Sequence, residues 1–192
     1  MRARGYKSWG EYPGYLYFGG NSEMRGYDYL QFIGNKGFFT DAELRFPIIE
    51  AALTPIGVVG GLRGVFFFNF GAAGYEGIET NVWTTTPSVQ TPIIDYAFDP
   101  TSPSQFVPVY GPPRVVDGFR LLDSRASYGF GLETFALGFP IHFDWSWRTL
   151  FNRDWEDVVF AYPAGVDGVT GPNAGSTWFR RVKFSIWIGY DF

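Results

Sequence analysis

Arg25 stands alone among the basic residues of a polar, glycine-rich stretch, FGGNSEMRGYDY at residues 18–29. Glycine lets a backbone turn back on itself at little steric cost, and Asn21, Ser22 and Asp28 can bond to their local backbone, so the stretch reads as a loop. A guanidinium keeps its charge and presents donors in a planar fork, so a loop arginine withdrawn from water requires a carboxylate within reach. Asp41 and Glu43, two residues apart, could be taken for an acid–base pair. With Arg45 and Arg63 in adjoining segments, ion pairing is the expected chemistry instead. His142 is the only histidine and cysteine is absent, so a His or Cys metal cluster is not available and His142 is expected to serve in hydrogen bonding. RDWED at 153–157 reads as a solvated acidic loop tip, with contact to a divalent cation as the alternative, and GFG at 129–131 lacks the helix a phosphate cradle needs. No catalytic residue, metal or cofactor is therefore expected.

The segments that would position these residues alternate with the two-residue period of a strand. Over 37–50, Phe38, Ala42, Leu44, Phe46 and Ile48 oppose Asp41, Glu43 and Arg45. Over 57–71, Val58, Leu62, Phe66, Phe68 and Phe70 oppose a set containing Arg63 and Asn69. Residues 121–137 repeat the split, with Leu122, Tyr128, Phe130 and Leu132 against Asp123, Arg125, Ser127 and Glu133. The phase inverts over 138–150, where Phe139, Ile141, Phe143, Trp145 and Trp147 oppose His142, Asp144, Ser146 and Arg148. In the last segment Val182, Phe184, Ile186, Ile188, Tyr190 and Phe192 oppose Arg181, Lys183, Ser185 and Asp191, with Trp187 as the one large residue on the polar side. These five strands, each of about 12–15 residues, exceed the usual globular length and suffice to cross a bilayer at a tilt.

Composition points the same way. Aromatic residues make up 21% of the 192-residue chain and charged residues 18%, with 25 glycines, a mixture suited to greasy strands joined by irregular connections. The net charge of −4 and scattered basic residues offer no footprint for nucleic acid. No apolar run is long enough for a transmembrane helix, and residues 1–18 lack the apolar core of a secretory signal. The links at 51–57 and 136–140 are short, whereas 72–118 and 152–177 are long, an asymmetry typical of outer-membrane barrels with their long loops outside. Prolines 100, 103, 108, 112 and 113 argue against regular strand through the longer loop, and no helix of useful length is expected.

The ordered motifs GGNSEMRGY, TDAELRFPI, GVFFFNFG and a closing FSIWIGYDF resemble the C-terminal part of the barrel in the outer-membrane-protein assembly superfamily, the bacterial surface antigen family that includes BamA, TamA and two-partner secretion pores. The resemblance runs over nearly the whole chain, residues 1–192. It implies an all-β, antiparallel transmembrane barrel in the bacterial outer membrane, with the loop of Arg25, Gly26 and Tyr27 folded into the lumen. It further implies that Glu43 binds Arg25, and that a second partner stands in an aromatic-x-Asp-x-Gly pattern, here FNFG, where Asn69 replaces the aspartate ahead of Gly71. The ending Ile188, Tyr190, Phe192 is similar to the signal read by the barrel assembly machinery, although Trp187 stands where that signal usually has glycine.

Five or six strands leave two open edges, which hydrocarbon does not tolerate. The chain is therefore expected to be the C-terminal portion of a larger barrel; strands added from 6–18 and 79–98, or several chains together, are the other ways to close the sheet. Expected partners are outer-membrane lipid, the assembly machinery and unfolded outer-membrane or secreted proteins. A passive anchor or small pore is the alternative function, and a soluble β-rich binding module the third.

Overall fold

The computed structural model describes residues 1–54, 57–101, 105–136, 139–162 and 175–189. In chain order its strands are β1 (Arg2–Lys7), β2 (Leu16–Phe18), β3 (Phe32–Gly34), β4 (Lys36–Thr54), β5 (Gly57–Gly74), β6 (Trp83–Thr84), β7 (Ser88–Gln90), β8 (Ile93–Phe98), β9 (Phe106–Tyr110), β10 (Arg114–Val116), β11 (Arg120–Leu121), β12 (Ser124–Ala136), β13 (Phe139–Thr149) and β14 (Lys183–Ile188). Two short helices, α1 (Arg153–Val159) and α2 (Gly175–Phe179), precede β14. The chain is thus predominantly β, with antiparallel pairing in each of the ladders whose register is described. It divides into two compact units, one of residues 1–80, 123–148 and 182–192, the other of 81–122 and 149–181.

The first unit is built on a six-stranded sheet in the order β1-β4-β5-β12-β13-β14. The expected alternation is present, but the polarity of burial is the reverse of a water-soluble sheet. Leu44 is 66% exposed, Phe66 54% and Ile186 57%, while Asp41, Asn69, Ser127, His142, Asp144 and Arg148 on the opposite face are buried. Along β13 every polar residue from His142 to Arg148 is buried and every intervening aromatic or aliphatic one is only partly covered. The cover over the polar face comes from the β2–β3 hairpin, whose Phe18 stacks on Phe32 at 4.9 Å and on Phe39 of β4 at 5.4 Å. The ladder between β4 and β5 slips by one residue between Pro47 and Ile49, a bulge that accommodates a residue with no N–H to donate.

Three parts of this architecture differ from the sequence-based expectation. The sheet gains its sixth strand from residues 2–7, because Arg2 to Lys7 pair with Asp41 to Lys36, whereas residues 16–18 pair with β3 and the strands of 83–98 pair with β11, β10 and β9. The proline-rich connection contains strand after all: β8 and β9 form a two-stranded ribbon in which Pro108 lies opposite Tyr96. Proline is tolerated there because such a ribbon has an outer edge on each strand that needs no N–H.

The third difference is that RDWED is helical. Asn152 caps α1 by accepting from the Trp155 N–H at 3.0 Å, and Asp154 and Glu156 lie in the first turn, where the helix dipole favours acids. Asn152 and those acids are a start signal that the sequence carried. Buried Glu156 accepts from the Leu150 N–H at 2.8 Å, and Arg180, at the end of α2, pairs with Asp157 at 2.8 Å. Burial pushes the Asp157 carboxyl up, but hydrogen bonds from Arg180 and Ser176 and the charges of Arg180 and Arg114 outweigh it and hold it below its ordinary value of 3.8. The stabilisation from this depressed group is present above that ordinary value and is lost as pH falls through the lower folded one. Protection of α1 and α2 amides should therefore weaken on acidification, modestly for a partly exposed pair, ~0.5 kcal/mol. In Asp157→Asn hydrogen exchange should show a flatter acid limb; an unaltered acid profile would show that Asp157 carries none of it.

Candidate functional site: a buried arginine clamp

The loop closing the β2–β3 hairpin places Arg25 on the polar face. Met24 N–H donates to the Gly20 carbonyl at 2.9 Å and Glu23 accepts from the Gly19 N–H at 2.9 Å, which folds the chain into a compact turn. Gly26 has φ +87°, and a Cβ there would stand 3.1 Å from Ser146 Oγ on β13, so both its conformation and its neighbour call for glycine. Tyr27 is buried, stands edge-on to Phe32 at 5.2 Å and donates to the Ala126 carbonyl on β12 at 3.1 Å. Gly71 lies opposite Phe39 in register, and Met24 packs above it.

Arg25 is 2% exposed. Its Nη2 is ion-paired with Glu43 on β4, its Nε lies 3.2 Å from Asp144 Oδ2 on β13, and its Cζ sits 4.5 Å from the Phe67 ring centre on β5. The fork is therefore divided between two carboxylates on strands three places apart in the sheet, with an aromatic floor between them. Glu43 is the partner anticipated from the sequence. Asn69 is not the second clamp position: its amide donates to Asp41 at 2.9 Å, across the register pair Asp41–Asn69, and Asp144 supplies the second carboxylate. Alternation placed Asp144 on the polar side, but no sequence feature showed that β13 comes within reach of the loop.

The clamp extends into a wider ionic network. Glu43 also accepts from Arg45 Nε at 2.8 Å, Arg45 reaches Glu133 on β12 at 3.3 Å, and Arg63 approaches Glu133 at 3.8 Å. Three guanidinium groups, Arg25, Arg45 and Arg63, are thus matched by Glu43, Asp144 and Glu133. At its far end the network borders a cavity of about 330 Å³ next to His142 and Pro140. Gly131 lets Asp144 lie flat against β12, where a Cβ would collide with Asp144 Oδ1.

Trp187 on β14 also belongs to the site. Its indole N–H donates to Asp144 Oδ2 at 2.7 Å, and its ring stacks on His142 with centroids 3.7 Å apart and planes within 3°. His142 Nε2 in turn lies 3.1 Å from the Gly189 carbonyl. Of the expected C-terminal signal, Ile188 is on β14, exposed and opposite Ile141, while Tyr190 and Phe192 lie outside the described residues. Among the described residues no three His, Cys, Asp or Glu side chains converge to hold a metal ion. The arrangement can fix a loop against five strands by charge and packing. Comparison with protein-family models, curated proteins and solved structures finds no match.

Proposed function

We propose that this chain is part of a transmembrane β-barrel of the bacterial outer membrane, of the kind used by the assembly and translocation superfamily, with the Arg25 loop pinned in its lumen. The observation that carries the reading is the inverted sheet: an exposed band of Leu44, Phe66, Phe130, Phe184 and Ile186 on one face and buried ions on the other. Hydrocarbon is the solvent in which such an apolar face is favourable, while a polar interior suits ion pairs and hydrogen bonds. Within the six-stranded sheet the shortest links in sequence join β4 to β5 and β12 to β13, at one end of the strands by register, and the longer ones join the opposite ends, in keeping with short periplasmic turns and longer outer loops. Lipid is then the partner of the apolar face, the assembly machinery that of the last strand, and unfolded outer-membrane or secreted proteins are the clients. No cofactor or catalytic step enters this reading.

The chain should require detergent or lipid to stay monodisperse, and its folded band should migrate differently on a gel before and after heating. A monomer that is soluble without detergent overturns the proposal. Phe66→Arg gives a sharper test, because a cation on a lipid-contacting face near the bilayer midplane costs about 2–4 kcal/mol, whereas at a half-exposed position in water it costs little. Folding titrations in lipid vesicles should show that loss; stability equal to the parent chain would argue for water on that face. Acceleration of the folding of a second outer-membrane protein into vesicles containing the chain would distinguish assembly from a passive anchor.

A further inference from the structure

We propose that Asp144 couples the docking of the Arg25 loop to the pairing of the last strand, with Trp187 as the positioning residue that carries the coupling; this deepens the barrel reading, on which its functional meaning rests. The basis is one oxygen used twice. Asp144 Oδ2 receives the Trp187 indole N–H at 2.7 Å and lies 3.2 Å from Arg25 Nε. Arg25 belongs to the loop and Trp187 to β14, which has β13 as its neighbour on one side of the six-stranded sheet. Asp144 is itself on β13, in register with Ser185, two residues before Trp187. An indole donor on one side and the guanidinium charge on the other meet at the same carboxylate oxygen, and Gly131 leaves room for the carboxylate to lie between them.

Removing the indole donor or the guanidinium changes how the carboxylate is held for the other, so the loop and the strand edge each stabilise the other. By the reciprocity of coupled equilibria, loosening the loop must loosen β14 to the same degree that loosening β14 loosens the loop. The stacking of Trp187 on His142 fixes the indole plane, which aims the N–H at Asp144. Trp187, on the polar side of a strand where a small residue would fit the lipid-facing pattern equally well, thereby acquires a specific task. An exposed link between Lys183 and Asp28 also joins β14 to the loop, but as a solvent-screened pair it contributes little.

The test is hydrogen exchange read by mass spectrometry on the full chain, folded in detergent micelles, or in buffer if it proves soluble there, so that failure of the membrane reading leaves this measurement intact. Trp187→Phe keeps a stacking ring and removes the donor. It should raise exchange in residues 19–28 by about fivefold or more, at the lower end of the range for coupled sites, as well as raising it in 183–189. Arg25→Lys should raise exchange in 183–189 reciprocally. In an Asp144→Asn background, Trp187→Phe should add little to either segment. Ile186→Ala, on the outer face of the same strand, should raise exchange in β14 and, through Asp144, in the loop, and in the Asp144→Asn background it should raise exchange in β14 alone. The proposal is overturned if Trp187→Phe leaves 19–28 at the parent rate, if its effects add fully to those of Asp144→Asn, or if Ile186→Ala opens β14 while the loop stays at the parent rate.

Discussion

Arg25→Ala is expected to release the loop and to lower the stability of the folded chain by about 3–5 kcal/mol, the range observed when one partner of a buried ion pair is removed. The size follows from what would be left behind. Glu43 and Asp144 would both lose a guanidinium at a site where Arg25 is 2% exposed, and the Phe67 ring would lose the cation that covers it. Glu43 retains Arg45 and Asp144 retains Trp187, so the sheet should still form, and the effect should appear in the loop and, through Asp144, in β14. Limited proteolysis should cut within 19–28 in the variant and spare it in the parent, and the heat-induced transition should move down by several degrees or more. Arg25→Lys should recover part of the stability, because one ammonium can satisfy only one of two carboxylates on separate strands. Identical protease maps and melting for parent and Arg25→Ala would refute a docked loop.

The second large effect is expected at Asn69, in a direction opposite to the one its motif suggests. By resemblance, an aspartate here would restore a missing clamp partner. In the fold the Asn69 amide is 2.9 Å from an Asp41 oxygen and is buried, so Asn69→Asp would set two carboxylates against each other where only one donor stood. Arg2, 3.8 Å from Asp41 and partly exposed, is too loosely held to neutralise both. A loss on the order of 3 kcal/mol is expected, comparable with leaving a buried charge uncompensated. Denaturant titration of the variant should show it, and Asn69→Asp combined with Asp41→Asn should restore most of it by exchanging donor and acceptor. A more stable Asn69→Asp single variant would show that the residue faces Arg25 after all.

The two-residue period is a strictly local property, and it was sufficient to sort side chains between the faces of the sheet. It placed Leu44 and Phe66 on one side and Glu43, Asn69 and Asp144 on the other, because each peptide unit of an extended chain reverses the side-chain direction. The loop character of residues 18–29 was equally legible from glycine and short polar residues, and Glu43 as the partner of Arg25 followed from the motif resemblance. Asn152 and the acids that follow it announce the helix at 153–159, but the same acids at the head of a long connection read equally as a solvated tip.

Strand pairing lies beyond that local information. Whether β13 neighbours β12, and how far along, depends on every ladder bond from β4 across the sheet, so the meeting of Asp144 with an arginine more than a hundred residues earlier is a product of register rather than of spacing. The same holds for Trp187, whose type and position looked like an interruption of the polar face until β14 pairing brought its N–H to Asp144. Sequence alone thus determined which side each residue faces and that Arg25 needs an acid. Only the tertiary structure decided which acids those are, because contacts between strands are set by the cumulative register of the whole sheet and by a loop folding down across it.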